Sequence, residues 1–152
     1  LSAHGLRVLI VEDEAFIALE LECLLEEAGH VPVGVAMRSG EAIALARDLS
    51  PDVALVDIHL ADGPTGVAVA RALSARSGTT VLFTTANAKR VPPDFAGAAG
   101  IIAKPYSERV IRAALAYVAG RYHGGAPTGP PDGVVLAPAG RPDDASHPDL
   151  PA

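Results

Sequence analysis

The chain has 152 residues, enough for one domain with a substantial core, and 49% of them are hydrophobic although only 4% are aromatic and Trp is absent. Such a core is built from Ala, Val, Leu and Ile. The net charge of −6 argues against a nucleic-acid duplex as a direct partner, and no apolar run approaches the ~18 to 20 residues of a membrane span.

The opening Leu1-Ser2-Ala3-His4-Gly5 has neither an initiating Met nor the makeup of a signal peptide, and residues 1–5 read as an N-terminal extension. Leu6 to Val11 is a short apolar run ending abruptly in Glu12-Asp13-Glu14, the pattern of a buried strand with acids at its tip. From Ala15 to Ala28 the spacing turns helical, with Ile17, Leu21, Leu24, Leu25 and Ala28 on one stripe and Gly29 as the stop. This helix carries the single Cys23, which has no partner for an internal disulfide. A reducing, cytoplasmic location is therefore expected.

Val31 to Ala36 alternates more and reads as a second strand near a sheet edge; Ser39 or Gly40 opens a second helix with Ala42, Leu45, Ala46 and Leu49 inward. Pro51 closes it, and Val53 to Val56 forms a strand buried on both faces with Asp57 at its carboxyl end. After the loop through Ala61-Asp62-Gly63-Pro64, Thr65 is expected to cap a third helix with Val69, Ala70 and Leu73 inward. A fourth strand is predicted over 79–84, running into Thr85-Ala86-Asn87. Pro92-Pro93 then forbids a regular fourth helix within 88–99. Gly100 to Ala103 is a very short fifth strand before Lys104-Pro105, and Ser107 caps a last helix with Ile111, Ala114, Leu115 and Val118 inward.

This alternation predicts an α/β fold, a (βα)5 flavodoxin-like doubly wound parallel sheet in strand order 2-1-3-4-5 with a degenerate fourth helix, over residues 6–122. Residues 123–152 hold seven of the 13 prolines and five of the 15 glycines and are expected to form a disordered tail. Within it, Val134-Val135-Leu136 is expected to stay a solvated triplet, docking being the lesser alternative.

In a parallel sheet the carboxyl tips of the strands share one edge, so Glu12, Asp13, Asp57, Thr85 and Lys104 converge on one crevice. Three carboxylates there repel one another unless a cation sits between them, and Mg2+ suits hard oxygen ligands beside phosphate. Asp13 and Asp57 would bind it directly, Glu12 through water, and the backbone carbonyl of His59 would complete the set. Asp57 is then placed to attack phosphorus and become an acyl phosphate, with Lys104 pairing a second phosphoryl oxygen and the Thr85 hydroxyl donating to a third.

These residues resemble the receiver domain of bacterial two-component response regulators. The motifs are Val11-Glu12-Asp13-Glu14, the strand ending at Asp57, Thr85-Ala86 and Lys104-Pro105. The resemblance implies that a histidine kinase or histidine phosphotransfer protein phosphorylates Asp57, that Thr85 shifts toward the phosphate, and that the helix 4–strand 5–helix 5 surface changes to signal a downstream protein. Arg90, Arg109, Arg112 and Tyr117 would lie on that surface. It also implies a cis Lys104-Pro105 peptide. Receivers usually carry Tyr or Phe where this chain has Ile101. That substitution, the Phe83-Thr84-Thr85-Ala86-Asn87 stretch and the broken fourth helix are similar to a receiver subfamily with a Phe-Ala-Thr-Gly motif, associated with general stress signalling. No output domain follows in this chain, so a stand-alone receiver acting by protein contact or phosphate transfer is expected, and a homodimer is left open. The alternatives are a phosphate-independent binding module of the same fold and a phosphohydrolase of the haloacid dehalogenase type. The second would need an Asp where His59 stands.

Overall fold

A computed structural model describes residues 5–76, 78–122 and 131–138. Chain order gives β1 (Arg7–Val11), α1 (Ala15–Glu27), β2 (Val31–Ala36), α2 (Ser39–Leu49), β3 (Val53–Val56), α3 (Gly66–Ser74), β4 (Thr80–Thr85), β5 (Gly100–Ala103), α4 (Glu108–Tyr122) and β6 (Val134–Leu136). The strand order is β2-β1-β3-β4-β5-β6. The first five strands are parallel in the predicted order, and β6 is antiparallel to β5.

Alternation along each central strand sends successive side chains to opposite faces. Leu9, Val11, Ala54, Val56, Val81 and Phe83 meet α2 and α3 on one side. Val8, Ile10, Val53, Leu55 and Leu82 meet α1 and α4 on the other. Both faces are therefore covered, which is why β3 is an unbroken apolar run. The predicted inward residues of α3 and α4 are buried. In α2 only Ala42 and Ala46 are fully buried, while Leu45 packs at the margin. Gly29 sits at φ 85° and ends α1 in a Schellman arrangement, with His30 N–H donating to Leu25 O at 2.9 Å and Gly29 N–H to Glu26 O at 3.0 Å.

No regular fourth helix forms. Residues 86–99 carry two 3-10 turns, Ala88–Arg90 and Phe95–Gly97, on either side of Pro92-Pro93. Phe95 and Ala96 both adopt positive φ, 56° and 51°, a region that costs L-residues of order 1 kcal/mol or more each. Asp94 holds the strained turn by accepting from Ala96 N–H at 3.0 Å and pairing with Arg71 of α3 at 2.9 Å.

Three expectations are corrected. Val134-Val135-Leu136 is a sixth strand rather than a solvated triplet, because the outer edge of β5 supplies the hydrogen-bond partners that its own composition lacks. Thr65 precedes α3 but does not cap it; its hydroxyl donates to Asp62 Oδ1 at 2.8 Å. Arg112 is drawn sideways to Glu108 at 2.9 Å and to Glu27 of α1 at 3.7 Å, so it belts α4 to α1. The tail segments 123–130 and 139–152 and the extension up to His4 lie outside the described residues. Among the described residues no helix is long and apolar enough to cross a membrane.

Gly66 is the most tightly packed glycine among the described residues. A Cβ there would lie 2.0 Å from the Asp57 carbonyl oxygen and 2.5 Å from Ile58 Cα, both backbone atoms that cannot swing aside. Its N–H donates to Ile58 O at 2.9 Å, pinning the start of α3 beneath the Asp57 loop. Gly66→Ala is expected to cost about 3 kcal/mol or more in chemical denaturation. Gly40→Ala, with open space around its Cβ, is expected to be neutral or stabilising by up to about 1 kcal/mol. Equal effects at the two sites would contradict this packing.

Candidate phosphoacceptor site

Backbone bonds between neighbouring strand ends fix each residue of the crevice. Glu12 N–H donates to Ala36 O at 2.9 Å, Asp57 N–H to Val11 O at 2.9 Å and Lys104 N–H to Thr85 O at 2.8 Å. These bonds tie the tips of β2, β1 and β3 together and those of β5 and β4 together, and the ladder from Val53–Thr80 to Val56–Phe83 joins β3 to β4. The Lys104-Pro105 peptide is cis.

Lys104 Nζ lies 2.6 Å from Glu12 Oε1 and 2.9 Å from Asp57 Oδ2. The three side chains are 15%, 2% and 13% exposed. Asp13 N–H donates to the other Glu12 oxygen at 3.0 Å. One carboxylate oxygen from each of Glu12, Asp13 and Asp57 lies within 4.8 Å of the others, a hard-oxygen set that fits Mg2+. A cavity of about 310 Å³ opens over them, lined by Asp13, Glu14, Asp57, His59, Thr85, Ala86, Asn87 and Lys104. The residue lining it at the end of β4 is Thr85, not Thr84. His59 is exposed on its rim.

Burial pushes the Glu12 carboxyl up to about 7, against the pull of the Lys104 ammonium, and Asp57 adds repulsion. Lys104 is itself raised: its two carboxylate partners outweigh the burial that opposes its charge. Behind the site, burial holds the Tyr106 hydroxyl at about 12. Thr85 Oγ1 accepts from Asn87 N–H at 3.0 Å, so the hydroxyl proton is not committed by that bond.

Three supports were not foreseen from the sequence. Asp62 accepts from the Ser39 and Thr65 hydroxyls, which lowers its carboxyl to about 2 and ties the loop after β3 to the start of α2. Gly66 packs under Asp57, and Asn87 holds the Thr85 hydroxyl. The Asp62–Ser39 tie and the Gly66 contact depend on where a second segment passes, whereas the Asn87 bond is a local one, two residues along the chain.

Glu12 titrates near 7 in the folded chain against 4.5 ordinarily, so the native state holds its proton more tightly than the unfolded chain does. The resulting penalty is absent below about pH 4.5 and grows as pH rises through 7. Lys104→Met removes both influences that lower the Glu12 value, so the penalty should keep growing above pH 7. Without divalent metal, the stability gap between wild type and Lys104→Met is expected to widen by about 1 kcal/mol between about pH 5 and about pH 8. A gap independent of pH would contradict the shared-cation arrangement.

Known proteins place this geometry. The family model described as the response regulator receiver domain matches residues 8–116. The phyllosphere-induced regulator PhyR of Methylorubrum extorquens is 36% identical over 110 residues, covering 71% of this chain and 41% of that protein. The PhyR receiver domain of Erythrobacter litoralis superposes with a TM-score of 0.67 at 27% identity, covering 85% of this chain and 99% of that one. The response regulator PhyR of Brucella abortus gives 0.66 at 28% identity, over 79% of this chain and 49% of that one. The chain spans 41% to 58% of the length of the first curated relatives it matches. With a match over most of its folded residues and the acid, Asp, Thr and Lys positions gathered at one sheet edge, the chain belongs to the response regulator receiver domain family.

Proposed function

We propose that this receiver accepts a phosphoryl group on Asp57 from a histidine kinase or a histidine phosphotransfer protein and signals through the surface around β5. The observation that carries the reading is the Lys104 bridge between Asp57 and Glu12 at the floor of an open cavity. It pairs and orients a nucleophilic carboxylate while leaving it reachable from the cavity.

In this reading an Asp57 oxygen attacks phosphorus as the bond from phosphorus to the donor nitrogen breaks, and the donor imidazole leaves with that electron pair. Glu12, Asp13 and Asp57, with the His59 carbonyl, would hold Mg2+. When bound, the ion neutralises charge on a phosphoryl oxygen. Lys104 leaves its carboxylate partners in part to meet a second oxygen. The Thr85 hydroxyl donates to a third, a turn that gives up its bond from Asn87 N–H.

That release offers a route outward. Asn87 opens the strained 86–99 segment, whose Phe95 packs against the same apolar cluster that contains Ile101. Ile101 is buried there, and its side chain has no ring or hydroxyl with which to follow Thr85. Loosening of the segment at Asn87 takes the place of an aromatic switch. Likeness to PhyR proteins, one of them described as a stress response regulator, supports a role in stress signalling with a downstream protein as target.

Intact mass after incubation with acetyl phosphate tests the reading. An increment of ~80 Da is expected with Mg2+, strongly reduced without it, and absent in Asp57→Ala. Failure with acetyl phosphate and with phosphorylated histidine donors alike would instead favour a receiver that binds partners without phosphate.

A further inference from the structure

β5 is bonded along one side to β4 and along the other to β6, with Gly100, Ile101 and Ile102 opposite Leu136, Val135 and Val134. Ala137 N–H extends the ladder to Ala99 O at 2.8 Å. Two glycines shape the seat. A Cβ on Gly100 would lie 2.9 Å from the Val135 carbonyl oxygen, so the edge admits a strand there because no side chain is present. Gly133 turns into β6 at φ 84°, and a Cβ on it would lie 3.0 Å from Val110 of α4.

The seat is specific, but its occupant fits loosely. Val134 and Leu136 are only half-buried, and Val135 is 61% exposed, whereas every residue of β3 is buried. A cavity of about 410 Å³ lies against Val134 and Leu136, walled by Val81 and Leu82 of β4 and by Ala114 and Val118 of α4. Three residues with partly filled space beneath them form a strand at the low-stability end of a sheet.

We propose that the outer edge of β5 is a strand-acceptor site for a partner protein, and that Val134–Leu136 closes it in cis as a displaceable cover. The partner segment is extended, with apolar side chains larger than Val and Leu at the two alternate positions that face the cavity. Backbone pairing to β5 supplies its affinity, and the cavity selects its side chains. The site adjoins the crevice directly: β5 runs into Lys104, whose N–H is bonded to Thr85 O at 2.8 Å.

The full chain tests this without phosphate, so the outcome is separate from that of the phosphoacceptor reading. Val134→Asp with Leu136→Asp opens the edge by removing both apolar anchors. The probe is a fluorescent peptide of residues 131–138 carrying Val134→Phe and Leu136→Phe, followed by anisotropy. The opened chain is expected to bind it at least about tenfold more tightly than wild type, whose tethered strand competes. Adding Gly100→Val should abolish binding. Equal binding by wild type and the opened chain, or none by the opened chain, overturns the proposal. Should the opened chain lose its fold, hydrogen exchange on wild type decides. Amides of 134–136 exchanging at least about tenfold faster than those of β4 support a displaceable cover, and exchange at the β4 rate overturns it.

Discussion

One cation shared by two acids is the constraint on which the rest depends. Glu12 is buried and Asp57 nearly so, and only Lys104 stands between them in the described structure. Placing such charges at a sheet edge is costly unless each keeps a partner. The fold meets that cost by tying the strand tips together through backbone bonds from Glu12 N–H to Ala36 O, Asp57 N–H to Val11 O and Lys104 N–H to Thr85 O. A parallel sheet buried on both faces has the stiffness to hold them. Few other arrangements bring residues 12, 57 and 104 together with so little freedom.

The region that departs from a regular receiver lies on the same side of the sheet as β5. β6 pairs with the outer edge of β5, and the strained turn at Phe95 and Ala96, held to α3 by the Arg71–Asp94 pair, lies in the segment that leads into it. The strand that carries Lys104 into the crevice is thus flanked by the least regular parts of the described chain.

Much of this was legible in the sequence because periodicity and strand-end chemistry are local. The buried run from Val53 to Val56, the acids after Val11 and the stripe on α4 declare themselves within a few residues. Strand order followed from the alternation and from the handedness of crossovers. What was not legible depends on meetings between distant segments. Val134–Leu136 looks like a stray triplet until the missing Cβ of Gly100 is seen beside it. Arg112 reads as an outward cation until Glu27 of another helix comes within reach. Thr65 reads as a cap until Asp62 offers its hydroxyl a better acceptor. Pro92-Pro93 did announce a broken helix, though not the positive φ angles beyond it.

The central claim is that Asp57, rather than Glu12 or Asp13 beside it, bears the phosphoryl group. Borohydride reduction after treatment with a phosphodonor tests this most directly, since hydride converts an acyl phosphate to the corresponding alcohol and leaves free carboxylates untouched. Peptide mapping is predicted to find homoserine at position 57 alone. Homoserine formed there only in trace, with reduction at position 13 or the corresponding alcohol at position 12 instead, would contradict the account.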